Sequence, residues 1–135
     1  MPTLKTRMIF ISHAWSYSKH YWKLVNWFNE EPRFSWKNCS VPSHNQLPNE
    51  NLAEGLTRQI SPAQVVIILA GMYATEKNSE WIDYEISEAI RMNKIIIGVA
   101  PWGQERVPVQ VQNASTCDVV RWNKASIIQA IRTWV

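Results

Sequence analysis

The run Gln64-Val65-Val66-Ile67-Ile68-Leu69-Ala70 decides the architecture. An unbroken apolar stretch of that length suits a strand covered on both faces, hence a central strand of a parallel sheet. Two other runs read the same way. Lys94 to Ala100 contains Ile95-Ile96-Ile97-Gly98-Val99, and Arg7-Met8-Ile9-Phe10-Ile11-Ser12 is apolar and closes on small and polar residues.

Between these strands the apolar period becomes helical. From Ser18 to about Glu31, Tyr21, Leu24, Val25 and Phe28 form one face, and Pro32 stops the helix. Residues Pro32 to Cys39 read as irregular. Cys39-Ser40-Val41 is a weakly signalled second strand, which suits an edge, and Pro42 to Asn49 is a loop by composition. Asn49 or Asn51 starts a helix with Leu52, Leu56 and Ile60 on one face. After Gly71-Met72-Tyr73-Ala74-Thr75, a helix opens at Ser79, capped by Asn78 or Ser79, and ends near Asn93. Its apolar stripe is Ile82, Ile86, Ala89 and Ile90, with Glu80 and Asp83 in the first turn. Trp81 and Glu85, four residues apart, lie together beside that stripe. Pro101 to Gln110 reads as a loop and Asp118-Val119-Val120 as a short fifth strand. Asn123 caps a last helix that turns Ile127, Ile128, Ile131 and Trp134 inward.

Strands alternating with helices imply right-handed crossovers and a parallel sheet with helices on both faces. The expected fold is α/β and flavodoxin-like, a three-layer arrangement with a five-stranded parallel sheet in the order 2-1-3-4-5, its weakest strands at the edges. With 135 residues, the chain reads as a single domain, 1-135. Apolar residues make up 46% and charged residues 19%, the balance of a globular chain. The net charge of +3 is scattered from Lys5 to Arg132, which argues against a nucleic-acid footprint. Cys39 and Cys117 fit no pairing motif and read as reduced thiols of a cytoplasmic protein. No apolar run approaches the ~20 residues of a membrane span, and no signal-peptide core is visible. Eight tryptophans exceed what a core of this size needs, so some line a site or a contact surface.

In such a sheet, ligands bind beyond the carboxyl ends of the strands, where the strand order switches. That crevice lies between the first and third strands. It receives Ser12-His13-Ala14-Trp15 and Gly71-Met72-Tyr73, and the helix bearing Glu85 follows directly. Several chemistries are missing. The four glycines form neither G-x-G-x-x-G nor a P-loop, and no aspartate stands at a strand end as a phosphoacceptor. No zinc spacing, no acidic cluster and no nucleophile elbow is present, so no metal is expected. What remains is one carboxylate with aromatics, hydroxyls and a histidine. One carboxylate is poor equipment for ordinary glycoside hydrolysis, which uses two. It suffices where the leaving group is already activated, as the cationic pyridinium of NAD+ is. The carboxylate then orients the ribose and stabilises oxocarbenium charge, while aromatic faces stack on the rings.

With those residues in view, the chain resembles a Toll/interleukin-1 receptor (TIR) domain, most closely the bacterial TIR-like proteins of Thoeris anti-phage defence systems. The resemblance spans nearly the whole chain and is carried by Phe10-Ile11-Ser12-His13 and by Ser79-x-Trp81-x-x-x-Glu85. It implies NAD+ as substrate rather than cofactor, and a nucleotide signal derived from ADP-ribose, cyclised or transferred. Glu85 is implied as the residue on which cleavage depends. Ser12, His13, Trp15, Tyr73 and Trp81 are the candidate substrate-binding residues. The loop carrying Ser43, His44 and Asn45 corresponds to one that covers the site and joins neighbouring TIR domains, and a downstream effector would sense the product. Departures are visible: Tyr17 stands where an acidic residue is common, Ile82 where a cysteine is frequent, and the receptor-type loop signature is missing from Pro42 to Asn49. They argue against a receptor-type domain and leave the phosphate contacts unassigned.

Plainer readings stand beside these. By its helix alone, Glu85 is a solvated residue paired with Lys77 or Arg91; Ser12 is a strand-end hydroxyl; His13 and His44 are ordinary hydrogen-bonded side chains. The alternative function is a non-catalytic TIR adaptor working through TIR–TIR contacts, with tryptophans as anchors.

Overall fold

The computed structural model describes residues 5–12, 19–40, 52–69, 76–100 and 109–135, with the side chains of 52, 76–82, 109 and 110 left aside. In chain order the elements are β1 (Thr6–Ile11), α1 (Lys19–Glu30), β2 (Ser35–Asn38), α2 (Leu52–Ile60), β3 (Val65–Leu69), α3 (Glu76–Arg91), β4 (Ile95–Val99), α4 (Val109–Ala114) and α5 (Lys124–Trp134). The strands form one parallel sheet in the order β2-β1-β3-β4. Every residue of β3 is buried, because β1 and β4 flank it and helices cover both faces. Crossovers leave the β1–β3 pair in opposite directions, which puts α1 and α3 on opposite faces. α1 packs with α5, and α2 with α3.

Most helix faces follow their apolar spacing. Tyr21, Leu24, Val25 and Phe28 of α1 are buried, as are Leu56 and Ile60 of α2 and Ile127, Ile128 and Ile131 of α5. Asn123 caps α5, its Oδ1 accepting the Ser126 N–H at 3.0 Å. α3 ends in a Schellman arrangement, with Lys94 N–H donating to Ala89 O at 2.8 Å and Asn93 N–H to Ile90 O at 3.1 Å. Asn93 supplies the left-handed residue this requires, with φ 62°. None of the helices of the described residues is long and apolar enough to cross a membrane.

Four expectations are corrected. The second strand is Ser35–Asn38 rather than Cys39–Val41; only the Cys39 N–H prolongs its ladder, to Ile9 O at 2.8 Å. An edge strand needs only its backbone, so Ser35-Trp36-Lys37-Asn38 gives no apolar signal. Trp134 is 44% exposed and Ile90 59% exposed, although both were expected inward. The inward places on α3 belong to Glu85, Ile86 and Ala89. That helix also begins at Glu76, before the expected Ser79, so Glu80 and Asp83 lie beyond its first turn. Finally, α4 occupies the end of what read as a loop.

The fifth strand is also absent among the described residues, which form a four-stranded sheet. In its place one residue, Val120, makes a parallel bridge to Val99. The open side of β4 is satisfied by other means. Ile96 N–H donates to Thr116 Oγ1 (2.9 Å) and Gly98 N–H to Ser115 Oγ (3.0 Å), while Thr116 N–H donates to Ile96 O (2.7 Å). Val120 N–H reaches Gly98 O at 2.8 Å and Val120 O accepts from Ala100 at 2.6 Å. Side-chain hydroxyls thus stand in for strand backbone, and the segment need not be extended.

Gly98 lets α4 sit on this edge: a Cβ there would lie 2.8 Å from Val111 Cγ1 and 3.4 Å from Val119 Cγ2. Val111 is fully buried and branched, so it cannot swing aside. Gly98→Ala is therefore expected to lower unfolding stability by about 1–3 kcal/mol through overpacking, read from the midpoint of urea unfolding.

Candidate active site

The strand order reverses between β1 and β3, and both strands end there on hydrogen-bonded residues. Ser12, fully buried, donates its N–H to Ile67 O at 2.8 Å and accepts the Leu69 N–H on Oγ at 3.2 Å. Its hydroxyl spans the two strands where the crevice opens. The strand-end reading of Ser12 therefore holds, and a hydroxyl that accepts one bond still has a proton to give.

A second polar cluster stands at the carboxyl end of β2. The Tyr21 hydroxyl donates to Ser40 O at 2.9 Å and accepts from Asn38 Nδ2 at 3.0 Å. Asn38 Oδ1 also takes the Ser40 N–H at 2.9 Å, an Asx turn, and accepts from the Ser40 hydroxyl. Ser40 is fully buried and Tyr21 1% exposed. Sequence reasoning counted Tyr21 as plain core; the one available signal was the Asn-x-Ser spacing.

Glu85 is fully buried. It sits on the sheet-facing side of α3 with Ala89 and Ile86, in the helix that follows the central strand. Glu85 is therefore not a solvated residue; the Lys77 side chain lies outside the described residues. The Arg91 guanidinium is engaged by Glu88, with Nε to Oε1 at 3.0 Å and a terminal nitrogen to Oε2 at 2.7 Å. A carboxylate out of bulk water interacts more strongly with any charge or hydroxyl brought to it, because solvent no longer screens it.

Other titratable groups are poor reactants. Burial pushes the Cys39 and Cys117 thiols up, which keeps them protonated and weakly nucleophilic. His20 is held below its ordinary value by desolvation and by Lys23 and Lys19, and rests edge-on to Trp122 at 5.4 Å. Among the described residues no group of three or more His, Cys, Asp or Glu could hold a metal ion. His13, Trp15, Tyr73, Ser43, His44 and Asn45 lie outside the described residues, as does the side chain of Trp81. Among the described residues, Ser12 thus stands at the end of β1 against β3, and Glu85 lies within α3, which packs on β3, β4 and α2. Two grooves open elsewhere. One, of about 1130 Å³, runs between residues 115–120 and α5 and is walled by Trp134; another, of about 670 Å³, lies between α2 and α3.

Ser12→Ala leaves the buried Leu69 N–H without its acceptor, so a loss of about 1–3 kcal/mol in unfolding stability is expected by urea titration. Glu88 provides a pH test. Hydrogen bonds from Arg91 hold its carboxyl below the usual range, burial opposes them, and the Thr57 hydroxyl and the Arg91 charge add to the lowering. Because the folded value is depressed, the stabilisation is present above the unfolded value and is lost as pH falls through the folded one. From about pH 5 downward, wild-type stability should fall more steeply than that of Glu88→Gln; parallel curves would contradict this.

Residues 10–106 match the family described as Thoeris protein ThsB, TIR-like domain, a span holding both Phe10–His13 and Ser79–Glu85. Among solved structures, a CMP N-glycosidase from Clostridium botulinum, BcmB, superposes with a TM-score of 0.55 at 12% identity, over 96% of this chain and 100% of that one. Comparison with curated proteins gives no match. A likeness at that identity shows a shared fold, whereas the family match covers most of the chain and both motifs: the chain belongs to the TIR-like domain family of Thoeris ThsB.

Proposed function

We propose that this domain cleaves the bond between nicotinamide and ribose in NAD+ and passes the ADP-ribosyl group into a nucleotide signal, with Glu85 as the catalytic residue. The observation that carries this is the complete burial of Glu85 on α3, the helix that follows the central strand β3. Helices usually place carboxyl groups in water, and buried ionisable groups cluster at functional sites. Support also comes from the fold, shared with a protein named for an N-glycosidic bond in a nucleotide.

The chemistry suits a single carboxylate. The C1′–N bond breaks with its electron pair moving to the pyridinium nitrogen, so nicotinamide departs neutral and needs no proton. Positive charge develops on the ribose, and Glu85 stabilises it while orienting the hydroxyls. Water capturing C1′ gives ADP-ribose and a proton; capture by a nucleophile within the same molecule gives a cyclic product. In this scheme Ser12 anchors the pocket floor, and His13, Trp15, Tyr73 and Trp81 supply its walls. The loop with Ser43, His44 and Asn45 covers the site and mediates self-association, and a separate effector reads the product.

One observation favours the adaptor reading: Trp22 is 47% and Trp134 44% exposed, as contact anchors would be. Nicotinamide release by purified protein separates the two. Glu85→Gln should slow release by about 10²-fold or more at unchanged folding. Equal release by both proteins would sink the catalytic assignment. If neither releases nicotinamide, a product in phage-exposed cells that vanishes with Glu85→Gln supports the enzyme; no product with either supports the adaptor.

A further inference from the structure

α3 presents three distinct faces. At about 100° per residue, Glu85, Ala89 and Ile86 point to the sheet, while Asp83, Ser87 and Ile90 point outward and are exposed. Tyr84, Glu88 and Arg91 share the flank between them, on the α2 side. On that flank a chain of hydrogen bonds crosses between the helices. Thr57 Oγ1 of α2 donates to Glu88 Oε2 at 2.9 Å and lies 2.7 Å from the Tyr84 hydroxyl. A hydroxyl has one proton. With it given to Glu88, Thr57 accepts from Tyr84, whose single proton is shared with Ala53 O at 3.1 Å. Arg91 closes the far end on Glu88, so the relay runs from Tyr84 through Thr57 to Glu88, with Arg91 bracing the carboxylate.

Apolar packing alone indexes the rotation of this helix weakly. Ala89 offers one methyl to the sheet, and contacts of that kind permit small rotations at low cost, whereas hydrogen bonds are directional. Glu88 lies about 60° and Tyr84 about 100° around the axis from Glu85. Fixing the flank therefore fixes the direction of the buried carboxylate. A rotation of about 10° moves a side-chain tip ~1 Å at the 5–6 Å radius of a helix, and a 1 Å misplacement can cost about 10²-fold in rate.

We infer that Thr57, Tyr84 and Glu88 are positioning residues, a hydrogen-bonded seam between α2 and α3 that sets the rotation of α3 and so aims Glu85 at its substrate. The inference rests on the proposed NAD+ cleavage. Thr57→Val removes the hydroxyl and keeps the branched shape; Thr57→Ser keeps the hydroxyl. With purified protein, Thr57→Val should lower kcat about 10- to 100-fold with KM within about twofold and a near-native Tm, because the interaction weakened is one made in the transition state. Thr57→Ser should restore kcat. Wild-type kcat in Thr57→Val, or a Thr57→Ser as slow as Thr57→Val, overturns the seam's role while leaving Glu85 in place if Glu85→Gln is inactive. If the purified wild type releases no nicotinamide, the catalytic reading is decided by product formation in phage-exposed cells, and the seam is tested by methyl NOEs between Ala89 and the buried aliphatic residues of the sheet. Their weakening in Thr57→Val and recovery in Thr57→Ser supports the seam; unchanged NOEs overturn it.

Discussion

The burial of β3 on both faces constrains everything else in this domain. A strand whose five residues all lie inside can satisfy its backbone only through partners on each side, and β1 and β4 fill those places. Parallel pairing requires long crossovers, so helices must lie over both faces, and the direction of crossover reverses at the β1–β3 contact. That reversal leaves a crevice at the carboxyl ends. At that end Ser12 ties β1 to β3 with one backbone and one side-chain bond.

The two edges of the sheet are managed differently. At β2 the ladder ends on a buried cluster of Tyr21, Asn38 and Ser40, which settles local polar groups among themselves. At β4, Ser115 and Thr116 offer hydroxyls where a neighbouring strand would offer amides and carbonyls. The second device removes the unpaired row that makes a sheet edge prone to further association. The second also explains the glycine at position 98, since the covering segment comes too close for a side chain.

Position 85 puts a carboxyl group in the interior of the fold, where ionisable side chains are uncommon. α3 accommodates it through a division of faces: apolar and carboxylate groups toward the sheet, hydrogen-bonding groups toward α2, and Asp83, Ser87 and Ile90 toward solvent. Other acids of the helix keep ordinary roles. Glu88, four residues before Met92 at the helix end, belongs to the interhelical seam and to Arg91.

The sequence by itself determined the three central strands, their parallel pairing and the core faces of α1, α2 and α5, because runs of aliphatic residues and a helical apolar period carry burial directly. It also singled out Ser12 and Glu85, through topology and through motifs that the family match contains. It did not reveal β2, whose residues Ser35–Asn38 are stabilised by backbone pairing that side-chain pattern does not encode. Nor did it show that Val120 alone would stand for a fifth strand, since hydroxyl-to-backbone bonds leave no periodic trace. The rotation of α3 was the deepest gap. By apolar spacing, Ile90 belonged inside and Glu85 beside the stripe; the structure turns Ile90 to solvent and buries Glu85. Only tertiary contacts decide that, because hydrogen bonds between α2 and the side chains of Tyr84 and Glu88 fix a rotation that hydrophobicity alone leaves loose.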